Sequence, residues 1–318
     1  MGRSVGGKLV GAAVLGAVGV VVGLVLLVAV AAGSDGGTTG DGSALSTGPT
    51  SSGAPGSSGV APGPAVPASW VALYRQAAAT CPGLSWSVVA AVGTVETSSG
   101  QSTAPGVWSG ANSAGAEGPM QFEPATFAAY ATVGPEGARP PSPYDPVDAV
   151  YTAVSLLCAD GAGRAATLRQ AVLDYNHSAV YADTVLTLSM ALADDPTATG
   201  TVVAALTFAA QQLNTPYVWG GTGSGGFDCS GLVQAAYRHA GISLPRVAQS
   251  QFDAGPAVPD GSVVEPGDLV FFGSGPDGVE HVGLYVGAGE MIDAPHTGAL
   301  VRFDSAGWSG LVGATRPA

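Results

Sequence analysis

Lysine is almost missing from this chain: Lys8 is the only one in 318 residues. Basic residues of both kinds number 10 against 23 acidic ones, a formal net charge of −13. A polyanion is held chiefly by Lys and Arg neutralising its phosphates, so nucleic acid is excluded as a partner class. Charged residues make up only 10%, which excludes a charge-rich disordered chain. Three cysteines cannot staple a disulfide scaffold and are not spaced as a zinc site. Glycine and proline are abundant (49 and 23) but follow no three-residue period, so this is not a collagen helix. The length suits two ordinary domains with additional segments.

What is present begins with an uncharged run from Leu9 to Ala32, preceded by Arg3 and Lys8. As a helix it measures roughly 36 Å, enough to cross a hydrocarbon core of about 30 Å. A cleaved signal peptide has a shorter apolar core, so residues 1–32 read as a membrane anchor, with cleavage near Ala31 as the alternative. The positive flank belongs in the cytoplasm and the rest on the extracellular face of the membrane. Residues 33–67 are nearly all Gly, Ser, Thr, Pro and Ala. Such a stretch buries too little apolar area to order itself and reads as a flexible tether, with a reach of roughly 30–35 Å.

Residues 68–194 read as an all-α unit. Ser69 is a candidate cap for a helix through Ala79, and Ser85 for a second helix ending near Glu96, with Trp86, Val89, Ala90 and Val92 as its buried positions. Asp145-Pro146 is a strong start signal; Val147, Val150, Val154 and Leu157 then share one face. Two further helices are expected at about 165–174 and 178–193, and 98–119 as a surface loop. Glu96 closes an apolar helix, so its carboxyl should be raised, which suits a general acid for glycosidic cleavage. Taken alone, a solvated helix-terminal Glu is the simpler reading.

Its company changes that. Glu96 is followed by Gly118-Pro-Met-Gln-Phe-Glu-Pro-Ala-Thr-Phe127 and then by Asp174-Tyr-Asn-His177. In that order the three segments resemble the soluble lytic transglycosylase and goose-type lysozyme family. The resemblance implies Glu96 as catalytic acid/base, Met120 and Gln121 lining a glycan cleft, and Tyr175 and Asn176 close to the reacting sugar. Thr97 and Ser178 depart from the family pattern, which has Ser and Gly there. A transglycosylase needs one carboxylate, because the muramic acid's own hydroxyl replaces water; a muramidase needs a second, for which Glu117 and Glu123 are candidates. Cys81 and Cys158 lie outside the cell in this topology. An oxidising compartment favours a disulfide between them over two buried thiols.

Residues 195–200 read as a short hinge, after which the pattern becomes α+β over 201–318. A helix over Val202–Leu213 is followed by a Gly-rich loop and a helix opened by Asp228-Cys229-Ser230. Short β-rich runs follow at Asp268–Phe272, His281–Val286, Met291–Ala294, Ala299–Phe303 and Leu311–Ala314. Cys229 at a helix start is placed where the dipole favours a thiolate. Such a nucleophile needs a base, and the base an orienting partner. A three-residue loop at Gly287-Ala288-Gly289 would oppose Gly283 to Asp293 and set His281 and Asp293 on one face. A zinc site on Cys229, His281 and Asp293 lacks a fourth ligand, so no metal and no cofactor is expected.

Tyr217-Val-Trp-Gly-Gly, Asp228-Cys-Ser-Gly-Leu-Val, Pro266-Gly-Asp-Leu-Val-Phe-Phe and His281-Val-Gly-Leu-Tyr-Val-Gly together resemble the NlpC/P60 family of cell-wall cysteine peptidases, a reduced papain-like fold. The resemblance implies Cys229 as nucleophile, His281 as base and Asp293 as the orienting group, where many members carry His. It further implies substrate contacts from Tyr217, Asp228 and Ser230, with Asp228 near the substrate's amine, and cleavage of a γ-D-glutamyl–diamino acid bond. The pair of domains is similar to the bifunctional wall hydrolases of Gram-positive conjugative elements. That similarity implies peptidoglycan as substrate, the membrane as a partner through residues 9–32, and a secretion or conjugation channel nearby. The opposing readings are a wall-binding scaffold with decayed sites, and an amidase or acyltransferase built on the same thiol.

Overall fold

A computed structural model describes residues 65–259 and 261–318. The expected membrane span over 9–32 and the tether up to residue 64 lie outside the described residues. Among those described, no helix is long and apolar enough to cross a membrane. The last three tether residues are packed: Val66 is buried, and Ala65 N–H donates to the Ala198 carbonyl at 2.8 Å. Helix α1 (Ala68–Ala78) therefore starts after Pro67, not at Ser69 as expected. Burial of Val66 and the fixed φ of Pro67 (−59°) set the entry of the chain, and no side-chain cap is used.

Helix α2 (Trp86–Thr97) is capped by Ser85, whose hydroxyl accepts from Ser87 N–H. Val88 to Gly93 are buried on every side, so α2 is the central helix of this half rather than an amphipathic surface one. Gly93 permits that crowding: a Cβ there would lie 2.0 Å from the Tyr74 hydroxyl of α1. Trp86, expected inside, is only half-buried, with the Arg75 guanidinium stacked over its ring. The 98–119 loop is not wholly superficial. Ser99 and Val107 are buried, and Gly118 N–H bonds back to the Gly106 carbonyl.

A short helix unforeseen in the sequence, α3 (Pro124–Tyr130), precedes α4 (Pro146–Ala159), where Asp145 caps both Val147 and Asp148. Between them, buried Asp148 gathers the intervening loop by accepting from the backbone of Gly134, Ala138 and Ser142. Helices α5 (Ala165–Asn176) and α6 (Ala179–Asp194) complete the unit. A disulfide joins Cys81, between α1 and α2, to Cys158 in the last turn of α4, with Cα atoms 5.8 Å apart.

The connection over 195–200 is ordered, not a free hinge. Asp195 accepts from Thr197 N–H and Oγ1, Ala198 is buried, and Thr199 caps α7 (Gly200–Gln211). One contiguous apolar core runs from Val66 through α2, α6 and α7 to Val301, so helical and α+β halves share an interior. Each fully buried Val or Leu there contributes about 1.5–3 kcal/mol relative to exposure.

The second half adds a small hairpin, β1 (Thr222–Gly223) and β2 (Gly226–Phe227), then α8 (Cys229–His239) and α9 (Ala248–Ala254). Five strands follow: β3 (Leu269–Gly273), β4 (Val279–Gly287), β5 (Glu290–Asp293), β6 (Arg302–Ser305) and β7 (Leu311–Thr315). They form one antiparallel sheet in the order β6-β5-β4-β3-β7. In β3, Leu269 and Phe271 face the main core, while Val270 and Phe272 face a smaller cluster with Met291 and Ala314. Alternation of strand side chains places those two pairs on opposite faces.

Candidate active sites

Cys229 is the first residue of α8, and it is partly exposed. Asp228 caps the helix through Gly231 N–H at 2.7 Å. A Cβ on Gly231 would sit 2.0 Å from the Gly221 carbonyl oxygen, so only glycine lets the head of α8 close on the turn after Tyr217. The sulfur is held where first-turn N–H groups lack intrahelical partners and attract negative charge.

The strands β4 and β5 supply the rest. Leu284 pairs with Ile292 and Tyr285 with Met291, a register that sets Asp293 opposite Gly283. Across the side-chain-free Gly283, His281 Nε2 and Asp293 Oδ2 meet at 2.6 Å. The turn itself differs from expectation: Gly287 pairs with Glu290, leaving only Ala288 and Gly289 in the loop, both at positive φ. A bulge at Val286 absorbs the missing loop residue and keeps the two side chains on one face. Without the bulge, a two-residue loop would have put them on opposite faces.

With Nε2 engaged by Asp293, Nδ1 is the imidazole nitrogen left to face Cys229, whose charge acts on the ring. Burial alone would depress His281; the bond to Asp293 and the nearby Cys229 overcome it and raise the imidazole to about 9. Asp293 is fully buried, and burial pushes its carboxyl up against the pull of His281. Trp308 stacks on the imidazole with centroids 5.6 Å apart, and Phe272 lies 6.0 Å from it. No feature of the sequence pointed to Trp308.

Tyr217 lies beside this group: burial first, then the charges of Cys229 and Asp228, raise its phenol. Asp228 and Ser230 flank Cys229 at the head of α8. Both are buried. Asp228 Oδ1 accepts from Gly231 N–H and Arg246 Nη1, while Oδ2 accepts from Gly220 N–H and Arg246 Nη2, at 2.6–2.9 Å. The Arg246 and backbone bonds outweigh burial and hold this carboxyl below its ordinary range. Arg246 also reaches the Ser230 hydroxyl at 3.0 Å. Arg246, overlooked in the sequence, is thus the ion-pair partner of the acid that precedes the nucleophile.

In the helical half, Glu96 sits half-buried in the last turn of α2. Burial raises its carboxyl to about 7, opposed by the Tyr181 hydroxyl, which donates to Oε1 at 2.7 Å. Ser178 caps α6 through Tyr181 N–H and so places that phenol, an assignment the family pattern did not provide. The other departure also has a use: Thr97 Oγ1 donates to the Pro119 carbonyl at 2.7 Å and accepts from Gly100 N–H. It ties the end of α2 to the Gly118–Gln121 turn.

Tyr175 stacks parallel to Tyr181 at 6.3 Å and donates to the Met120 carbonyl. Met120 itself is fully buried and lines no cleft, a correction to the expectation; its sulfur packs against Gly93. Gln121 is half-buried at φ +51°, its amide bonded to Gly118 and Asn112. Asn176 is exposed at the end of α5. Glu117 pairs its backbone with Phe122, Glu123 is exposed ahead of α3, and neither charge acts on Glu96.

A helix-borne thiol facing an imidazole that a buried carboxylate orients has the parts of a cysteine-nucleophile acyl-transfer centre. Residues 214–310 match the model of the NlpC/P60 family. The chain is 44% identical over 103 residues to the "Probable endopeptidase p60" of Listeria innocua, covering 31% of this chain and 21% of that protein. It is 44% identical over 92 residues to the γ-D-glutamyl-L-lysine dipeptidyl-peptidase of Bacillus subtilis (28% and 31%). With the peptidoglycan endopeptidase RipA of Mycobacterium tuberculosis it shares 39% identity over 104 residues (29% and 21%). The chain thus spans between a fifth and a third of the length of these relatives. Its C-terminal part is an NlpC/P60 domain, homologous to the endopeptidases p60 and RipA.

Proposed function

We propose that the chain is a peptidoglycan hydrolase whose Cys229 centre cleaves the γ-D-glutamyl–diamino acid bond of the stem peptide. The observation that carries this is the 2.6 Å contact of His281 with Asp293 beside the sulfur at the head of α8. Names of relatives that act on γ-D-glutamyl-L-lysine and on peptidoglycan support the choice of bond. In this reading the Cys229 sulfur attacks the γ-carbonyl carbon, and backbone N–H groups at the free end of α8 receive the oxyanion. His281 gives its proton to the departing amine of the diamino acid, leaving a thioester. It then takes a proton from water, whose oxygen releases the γ-carboxylate and restores the thiol.

A second activity is favoured by Glu96. A carboxyl raised to about 7 and held by Tyr181 suits protonation of a glycosidic oxygen. One such carboxyl suffices for transglycosylation, with the muramic acid hydroxyl as nucleophile in place of water. The apolar run over 9–32 would keep both sites on the outer membrane face, where wall opening near a secretion or conjugation channel is the corresponding role.

Digestion of purified peptidoglycan, with mass spectrometry of the products, tests both activities. Anhydro-muramic ends mark transglycosylation and new reducing ends hydrolysis. Cys229→Ala should abolish peptide cuts and Glu96→Gln glycan cuts. Peptide cleavage surviving Cys229→Ala removes the nucleophile from this role, products cut at the lactyl amide indicate an amidase, and binding without any cleavage indicates a scaffold.

A further inference from the structure

A hydrogen bond fixes one atom of an imidazole, not the plane of its ring. His281 has such a bond at Nε2, to Asp293 Oδ2. The other oxygen of that buried carboxylate, Oδ1, has no partner among the described residues, so the pair is not clamped from the Asp293 side. Acyl transfer asks for more, because the ring must keep Nδ1 turned toward the Cys229 sulfur through the reaction. The plane of the ring is held from elsewhere.

Two aromatic rings meet the imidazole. Phe272 stands opposite His281 in the β3–β4 pairing, with its plane tilted by 40° at 6.0 Å. Trp308 lies flatter, at 29° and 5.6 Å, and also packs on Phe272 at 5.6 Å. It arrives from residues 306–310, which join β6 to β7, the two edge strands of the sheet. That segment is fastened at both ends. Ala306 N–H donates to the Gly289 carbonyl at 2.8 Å, and Gly273 N–H to the Gly310 carbonyl at 2.9 Å. The indole is therefore carried onto the face of β4 that bears His281 by a strap tied to the β4–β5 turn and to the end of β3. Only 14% of the His281 side chain stays exposed. The charged groups around the ring are Cys229 on α8 and Asp293 on β5, with Asp304 and Arg302 of β6 acting on Asp293. Trp308 adds no charge. It adds the negative face of an indole within the roughly 6 Å over which such a ring attracts a cation, a pull on imidazolium that neutral imidazole does not feel.

We propose that Trp308 is a positioning residue of the Cys229 centre, holding the plane of the His281 ring and favouring its protonated form. This rests on the peptidase reading above and adds to it a residue that acts through the imidazole. The test uses the full chain, a soluble stem tetrapeptide and three replacements. Trp308→Ala should lower kcat roughly tenfold with KM nearly unchanged, and move the alkaline limb of kcat down by about one pH unit. Trp308→Phe, which keeps an aromatic face, should restore most of both. Trp308→Leu, which fills the space without one, should leave the limb displaced. If leucine restores the limb as fully as phenylalanine, the indole is packing alone and the proposal fails. Nuclear magnetic resonance titration of His281, one of four histidines, follows the same proton without turnover. Its midpoint should fall in Trp308→Ala and Trp308→Leu and hold in Trp308→Phe. A midpoint indifferent to all three overturns the proposal, whatever the chain cuts. A wild type that cuts no stem peptide, with a midpoint that still responds, sinks the peptidase reading and leaves the hold of Trp308 on the imidazole standing.

Discussion

Tyr181 and Glu96, 85 residues apart in the chain, meet at 2.7 Å, and the phenol is the donor. Burial raises Glu96 to about 7 and this hydrogen bond opposes it. The acid form that a glycosidase needs is therefore lost as pH climbs through 7, and glycan cleavage should fall on that side. Tyr181→Phe removes a bond that favours the carboxylate. Its alkaline limb should move to higher pH, read from a pH–rate profile on peptidoglycan; a limb that stays or moves down contradicts the assignment.

Replacing Asp293 by Asn keeps the shape of the site but removes the charge that holds the His281 proton. His281 stands at about 9 against an ordinary value near 6.5, so the imidazolium is present below about 9 and lost above it. Peptide cleavage by the wild-type chain should decline above pH 9. In Asp293→Asn that decline should shift toward neutrality and kcat should fall by roughly 10²–10⁴, as in related triads. Steady-state kinetics between pH 5 and 10 check both.

The same proton gives a stability prediction. The imidazolium's share of folding stability is complete below the unfolded value near 6.5 and disappears as pH rises through 9. Thermal unfolding of the wild type should weaken across that window. His281→Ala should flatten the slope there.

Cutting the Cys81–Cys158 bridge, which closes 77 positions of chain, should cost about 2–5 kcal/mol. Denaturant unfolding of Cys81→Ser/Cys158→Ser measures it, and a change below about 0.5 kcal/mol would mean that the packing of α1 against α4 carries the link unaided.

Asp148→Ala should cost about 3–5 kcal/mol, because three backbone N–H groups lose a buried charged acceptor at once. Proteolysis within 131–145 should accelerate in step with the equilibrium loss.

Much of this molecule was legible in one dimension. Ser85, Asp145 and the Asp228–Cys229 step announced three helix starts, since a cap is a local arrangement of neighbouring atoms. The alternation along 281–286 and 291–294 set His281 and Asp293 on one face only together with a three-residue turn, since strand side chains repeat every two residues. The Val286 bulge was not legible, because an extra residue in one strand exists only relative to its partner. Helices α3 and α9, of seven residues each, are too short to show a period.

The sites divide in the same way. Residue type and spacing nominated Cys229, His281 and Asp293, because a thiol at a helix start and an imidazole with a carboxylate on neighbouring strands are chemically conspicuous; Glu96 was picked out by the company of the motifs that follow it. Only the folded chain brought Arg246 onto Asp228, Trp308 onto His281 and Tyr181 onto Glu96, and only it withdrew Met120 into the core. A side chain's type fixes which bonds it is able to form. Which of them it does form depends on neighbours tens of residues away, and those are set by packing.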